Sequence, residues 1–416
     1  MNVYIADAIR TPRGRGNEKG SLAGMQPVEL LGQTLRTLAT RTGIDTAQVV
    51  DGVFGCVSQT AAQGSCIGKL GLIAAGWNDS VSGLTINRYC ASGLSALAFA
   101  AMQAEANDAL AVGGGIEMMS RVPLASDRGP LTHDVPFQSA TGLVPIGIAA
   151  DLVATRWGFS RTQCDDYAVV SQERAGAARA DGRFASVVPL TGADGAALLA
   201  SDETPRAGTT RERLAGMAPA FAEWGARGGA QSIDALLAKR YGVEAIDHVH
   251  HAGNSPATAD GAAAILVGTP AALGRAGLRP RARILACADA GVDRTLALTG
   301  SVDAAHRAIA RAGLTIGDID LFEVNESFAA LMLHFMHETG VPQERLNVNG
   351  GAVALGHAMG ATGAVLVGTL LDELERRDAR YGCVSICGAA GVAAAMVIER
   401  TPDGLRNGSG AAPSKA

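Results

Sequence analysis

Residues 346–374 read LNVNGGAVALGHAMGATGAVLVGTLLDEL: a short apolar strand candidate, a glycine-rich turn holding one histidine, then a long helix of small and aliphatic residues. An earlier stretch, LTINRYCASGLSALAFAAMQAEA (84–106), has the same order, with Cys90 at the strand-to-helix turn where the later stretch has His357. Working outward, the opening VYIADA and RILACADAGVD (283–293) are both short apolar strands at the head of each series. ALAVGGGIEMM (109–119) and CVSICGAAGVAAAMVIE (383–399) are both buried-strand patterns that follow the helices. This is an internal duplication of roughly 110–120 residues with the strand–helix alternation of an α/β sheet. The stretch at about 120–250 differs: DRGP, THDVPF and TGADG turns and charged helices such as 162–182 predict a separate layer over the core, where substrate selection often resides. The polar tail from Thr401 is expected to fray.

Composition narrows the function classes. The chain has 416 residues, 53 of them glycine, with 48% hydrophobic and 18% charged residues, so it folds around a large core. With 4% aromatics and a net charge of −5, a basic stacking surface for nucleic acid is excluded as the main theme. No apolar run is expected to reach the roughly 20 residues of a membrane helix. MNVYIADAIRTP lacks the layout of a secretory signal, so a cytoplasmic protein with reduced thiols is expected from its seven cysteines.

Four residues stand out chemically. Cys90 precedes a strong helix, whose positive N-terminal end is expected to lower the thiol pKa. His357, ringed by glycine and alanine, has room to face a cavity and is the usual residue type for activating a thiol. Cys387 closes a buried strand and is followed by small residues, a setting that argues against a zinc site with Cys383. Asn325 follows the apolar strand DLFEV at a plausible helix cap; its amide could instead orient an oxyanion-hole water. A structural cysteine, a packing histidine and a simple cap are the competing readings. HVHH (248–251) lacks further ligands at metal spacing, and the glycines 113–115 lack a dinucleotide fingerprint.

NRYCASGLSAL, GGGIEMMSRVP, EVNESFAAL, NVNGGAVALGHAMGATGA and the terminal CGAAG occur in the order and spacing of the thiolase family, which the chain resembles from about Val3 to Arg400. The resemblance implies two similar βαβαβαββ halves in five α-β-α-β-α layers, with an inserted loop domain. It divides the chain into an N-terminal half (1–120, completed by 251–275), a loop domain (121–250), a C-terminal half (276–400) and a tail (401–416). It implies Cys90 as nucleophile, His357 as its activating histidine, Cys387 as acid/base cysteine and Asn325 as holder of an oxyanion-hole water. Arg206, in DETPRAGTT, matches a family arginine near the CoA adenine.

Acyl-CoA and coenzyme A are the implied partners, with no metal or redox cofactor, and a homodimer or homotetramer is expected. The expected reaction is cleavage of 3-ketoacyl-CoA by coenzyme A through an acyl-cysteine. The alternatives are a biosynthetic acetoacetyl-CoA thiolase and a non-catalytic CoA-binding relative. Several residues depart from common family patterns: Ala389 and Ala390 in the terminal motif, Ile146 where methionine is frequent, and Pro256 where biosynthetic members have serine. Residues 222–246 lengthen the loop region in the manner of thiolases acting on bulky acyl or steroid side chains.

Overall fold

The computed structural model describes residues 1–192 and 194–402; the tail beyond Pro402 lies outside the described residues. In the first half, strands β1 (Val3–Arg10), β2 (Val49–Gly55), β3 (Ser82–Ile86), β4 (Leu110–Met118) and β5 (Ala259–Gly268) assemble in the order β3-β2-β4-β5-β1. Strands β2, β3 and β4 are mutually parallel, whereas β5 runs antiparallel to both of its neighbours. Helices α1 (Pro27–Thr42) and α2 (Ile67–Ala74) cover one face, and α3 (Ser92–Asn107) covers the other. Both β4 and β5 are buried along their whole length, as expected of strands with helices on both faces.

The segment between the halves carries α4 (Ile146–Trp157), α5 (Arg161–Ala180) and α6 (Ile233–Tyr241) with irregular connections. Helix α5 starts with a full capping box, Ser160 accepting from the Gln163 amide while the Gln163 side chain accepts from the Ser160 amide. Val135–Trp157 has the length and apolarity of a membrane span, contrary to the sequence expectation. Gly142–Pro145 breaks it into two helices, and most of α4 is buried in the fold.

In the second half, β6 (Ala282–Gly291), β7 (Leu321–Val324), β8 (Tyr381–Cys387) and β9 (Val392–Arg400) take the order β7-β8-β9-β6. The duplication is now visible in three dimensions: β7, β8, β9 and β6 repeat the placement of β2, β4, β5 and β1. The counterpart of β3 is reduced to one bridge, Leu346 beside Phe322. The strand expected at 346–349 is absent because Asn347 adopts φ +47° and its side chain bonds back to the Val324 amide and carbonyl.

Helices α7 (Gly300–Arg311) and α8 (Ala329–Thr339) cover the outer face of the second sheet, and α9 (Met359–Arg377) lies between the two sheets beside α3. Three apolar cores separate the layers. One lies between α1/α2 and the first sheet, one encloses α3 and α9, and one lies under α7, α8 and the inserted helices. The chain therefore has the five α-β-α-β-α layers of a thiolase fold. The two sheets touch edge to edge where Val3–Ile5 pair with Ala282–Ile284.

Glycines set the spacing of the middle layer. A Cβ on Gly115 would stand 2.0 Å from the Gly360 carbonyl oxygen, and one on Gly93 would stand 2.6 Å from it. These close approaches bring the start of α3, with Cys90 just before it, against the start of α9, with His357 just before it.

Candidate active site

Cys90 lies in the turn between β3 and α3. Its neighbour Tyr89 holds φ +49°, a left-handed conformation that costs a non-glycine residue about 1–2 kcal/mol. Local polar contacts hold the turn: the Tyr89 amide donates to Asn87 Oδ1 at 2.8 Å, and the Arg88 amide donates to Ser92 Oγ at 2.8 Å. The Arg88 side chain also bonds Asp289 on β6, tying the turn to the second half. Cys90 lines a cavity of about 430 Å³ with Val57, Ser58, Leu143, Met359 and Ala389.

The thiol does not behave as its helix position suggests. Burial pushes Cys90 up to about 12, and the neighbouring Cys387 and Glu117 push the same way. Desolvation of a thiolate outweighs the half-charge of a helix end, so the expected lowering is corrected. Glu117 is buried, and it accepts from the amides of Val57, Ser58 and Gly360 and from Gln63 Nε2. It thus clamps the 57–58 loop to the start of α9.

His357, Cys387 and Asn325 are all buried, each at most 8% exposed. His357 Nδ1 is 2.8 Å from Thr362 Oγ1, and its Nε2 has no partner among the described residues. Burial drives the imidazole down to about 3, aided by the Arg13 charge, so the ring is neutral. Its backbone amide donates to the Ala257 carbonyl at 2.8 Å, which places Pro256–Thr258 alongside it. A neutral imidazole whose Nε2 has no partner among the described residues has the lone pair that a base for a thiol needs.

Cys387 ends β8. Contact across the site is direct at its neighbour: a Cβ on Gly388 would sit 3.2 Å from both the Arg88 carbonyl oxygen and the Tyr89 Cβ. Burial pushes Cys387 up to about 11. Asn325 Nδ2 donates to Ser327 Oγ at 2.9 Å, and Ser327 Oγ is 3.2 Å from Cys387 Sγ. Asn325 Oδ1 is buried without a partner among the described residues. Asn325 is not a helix cap, since α8 begins only at Ala329.

The structure thus couples Cys90 to Cys387, and Cys387 to Asn325 through Ser327, while His357 stands two residues before Met359, which lines the Cys90 cavity. The site does not include Arg206, whose guanidinium faces the carbonyls of Ala252, Gly253 and Val353 at 3.2–3.5 Å and does not line the Cys90 cavity. Ser327, Thr362, Glu117 and Arg13 were not singled out by sequence. Ser327 and Thr362 sit two and five residues from singled-out positions, so local spacing was the one signal that could have found them.

The histidines of HVHH bond carboxylates. His248 and His250 share Asp151, His248 also reaches Asp234, and His251 meets Asp165. Among the described residues no group of three or more His, Cys, Asp or Glu is placed to hold a metal.

Two duplicated α/β halves carry a thiol and an imidazole at corresponding places, Cys90 just before α3 and His357 just before α9. The chain matches the thiolase N-terminal domain over residues 3–232 and the thiolase C-terminal domain over 278–400. It is 36% identical to a 3-ketoacyl-CoA thiolase of Aeromonas hydrophila, with 96% of this chain and 99% of that one covered. It is 34% identical to a steroid 3-ketoacyl-CoA thiolase of Mycobacterium tuberculosis, covering 96% and 94%. Among solved structures it superimposes on the Bacillus anthracis acetyl-CoA acetyltransferase with a TM-score of 0.82 at 30% identity, covering 96% and 99%. The chain belongs to the thiolase family and is an acyltransferase.

Proposed function

We propose that this thiolase runs in the degradative direction, cleaving a 3-ketoacyl-CoA with a medium-length or bulky acyl group to acetyl-CoA and a shortened acyl-CoA. In this reading Cys90 attacks the 3-keto carbon while His357 Nε2 takes its proton. Cys387 protonates the departing acetyl-CoA carbanion. His357 and an Asn325-held water stabilise the developing oxyanions. Coenzyme A then takes the acyl group from Cys90. Apart from the thioester formed on Cys90, the side chains move protons and hold charge.

One observation carries the substrate reading. A second apolar cavity of about 470 Å³ adjoins the Cys90 cavity, and Leu131, Thr132, Leu143, Val144 and Pro145 face both. Its far wall is the 222–246 segment, through Trp224, Ile233, Leu236, Leu237 and Arg240. In this reading the acyl tail passes the five shared lining residues into the second cavity. Each buried methylene is worth roughly 0.8 kcal/mol, so four extra carbons raise kcat/KM by about two orders of magnitude. A thiolysis panel from acetoacetyl-CoA to long and branched 3-ketoacyl-CoA tests this. If acetoacetyl-CoA has the highest kcat/KM, the enzyme is a short-chain acetyltransferase.

We also infer that the chain acts in the cytoplasm, where its seven free thiols stay reduced, as a homodimer or homotetramer. Exposed Leu84 on edge strand β3, with Phe99 and Met102 on α3, supplies apolar surface for a second copy. Light scattering that finds only monomer would overturn the assembly. Arg206 braces the backbone at Ala252–Gly253, just before Pro256, and through that segment supports coenzyme A. An Arg206→Ala variant should then raise the KM for coenzyme A; an unchanged KM would remove the residue from the CoA site.

A further inference from the structure

Ser327 occupies the one place in the site where the oxyanion-hole asparagine and the acid/base cysteine meet. Its side chain is 4% exposed. Oγ accepts from Asn325 Nδ2 at 2.9 Å and lies 3.2 Å from Cys387 Sγ. A serine hydroxyl has one proton and two lone pairs. With one lone pair held by Asn325, the hydroxyl can accept from the Cys387 thiol or, after rotation, donate to the Cys387 thiolate.

We propose that Ser327 is a positioning residue that links Asn325 to Cys387, fixing the sulfur's direction and favouring its thiolate during proton exchange. The proposal rests on the acid/base role given to Cys387 above. In cleavage, the Cys387 S–H proton passes to the α-carbon as the α–β bond breaks and its electron pair moves onto that carbon. The thiolate left on Cys387 then takes the proton of the incoming coenzyme A thiol, whose sulfur displaces Cys90 from the acyl group. A hydrogen bond from a hydroxyl stabilises that thiolate more than the thiol, because charge-assisted hydrogen bonds are the stronger kind. The direction agrees with the site's electrostatics: burial pushes Cys387 up, and the Ser327 hydrogen bond is the largest influence opposing it. Asn325 gains as well, because anchoring Nδ2 on Ser327 leaves the unpartnered Oδ1 as its free end.

The test is deuterium incorporation into the acetyl methyl group of acetyl-CoA in D₂O, which needs the proton exchange but no carbon–carbon bond change. Acetylation of Cys90 is followed separately by mass spectrometry. Ser327→Ala should slow exchange about tenfold near neutral pH and shift its rising pH limb up by about one unit, with Cys90 acetylation within twofold of wild type. Ser327→Thr, which keeps the hydroxyl, should restore both. Ser327→Cys, of similar volume but a poor donor, should shift the limb the same way and serves if the alanine variant fails to fold. An unmoved pH limb in the alanine or cysteine variant would overturn the proposal, as would parallel loss of acetylation and exchange. Cys387→Ala separates the two readings: if it still exchanges protons, the acid/base role of Cys387 fails, whatever Ser327 does.

Discussion

His357 Nδ1 and Thr362 Oγ1 stand 2.8 Å apart, and the Thr362 hydroxyl also donates to the Ala358 carbonyl at 2.9 Å. A hydroxyl has one proton, so Thr362 must accept from Nδ1–H. That fixes the imidazole tautomer and leaves the Nε2 lone pair, which has no partner among the described residues, free for the base role proposed for His357. Thr362, in the first turn of α9, thus orients a histidine that lies just before that helix.

Thr362→Val removes the acceptor while keeping the shape. We expect kcat/KM for thiolysis to fall by about ten- to a hundredfold, equivalent to about 1.4–2.7 kcal/mol of barrier, and Thr362→Ser to recover most of it. Wild-type activity in the valine variant would show that the tautomer is set elsewhere.

The nucleophile assignment is checked by brief incubation with acetyl-CoA and peptide mass spectrometry. The acetyl group should appear on the Cys90 peptide, and His357→Asn should suppress it strongly, since a thiol pushed up to about 12 cannot ionise unaided near neutral pH. Label confined to Cys56, Cys66 or Cys164 contradicts the assignment.

Cys387→Ser should leave Cys90 acetylation intact and abolish carbon–carbon bond cleavage, because a serine hydroxyl is far too weak an acid to stand in for the thiol. Thiolysis retained within about tenfold of wild type, a barrier change of only 1.4 kcal/mol, would contradict the acid/base role.

The stability that His357, His334 and His248 contribute should peak at about pH 6.5–7. Burial holds His357 near 3 and His334 near 4, both below their ordinary value. Their depressed values mean the unfolded chain binds protons first, so the fold loses stability as pH falls from about 6.5 toward 4. His248 is opposite: burial opposes its charge, but hydrogen bonds to Asp151 and Asp234 bring it up to about 8. Its contribution is complete below about 6.5 and fades as pH rises through 8. A Tm–pH profile should show both flanks, and His248→Gln should flatten the alkaline one. An unchanged alkaline flank in that variant would remove His248 from the effect.

Ala390 lies at φ +57°, ψ +21° in the wall of the Cys90 cavity, a left-handed position that suits glycine. Ala390→Gly should therefore stabilise the fold by about 1 kcal/mol, read as a raised Tm. A lowered Tm would mean that the methyl's packing outweighs the backbone strain.

The sequence alone determined the duplicated architecture, because strand burial, helix composition and glycine turns are local properties repeated in the same order in both halves. It also marked Cys90, His357 and Cys387, which stand at the ends of readable elements beside glycine or alanine, and Asn325, which follows the apolar strand DLFEV. The resemblance assigned 251–275 to the first half, but only the structure shows β5 lying antiparallel between β4 and β1, with a register shift between Ile5 and Asp7. The sequence could not show that the counterpart of β3 shrinks to a single bridge at Leu346, a consequence of the Asn347 side chain reaching Val324.

The chemistry shifted most on folding. Position at a helix start argued for an acidic Cys90 thiol, but desolvation depends on everything packed around the sulfur, and only the closed structure supplied Glu117, Cys387 and the surrounding apolar layers. Thr362 and Ser327 acquire their roles through hydrogen-bond distances of about 3 Å, which no spacing along the chain encodes. Ser327 and Cys387 are 60 residues apart in sequence and 3.2 Å apart in space. Tertiary packing alone brings them together, because the two strands that end in Val324 and Cys387 lie side by side and parallel, Val324 pairing with Ser385.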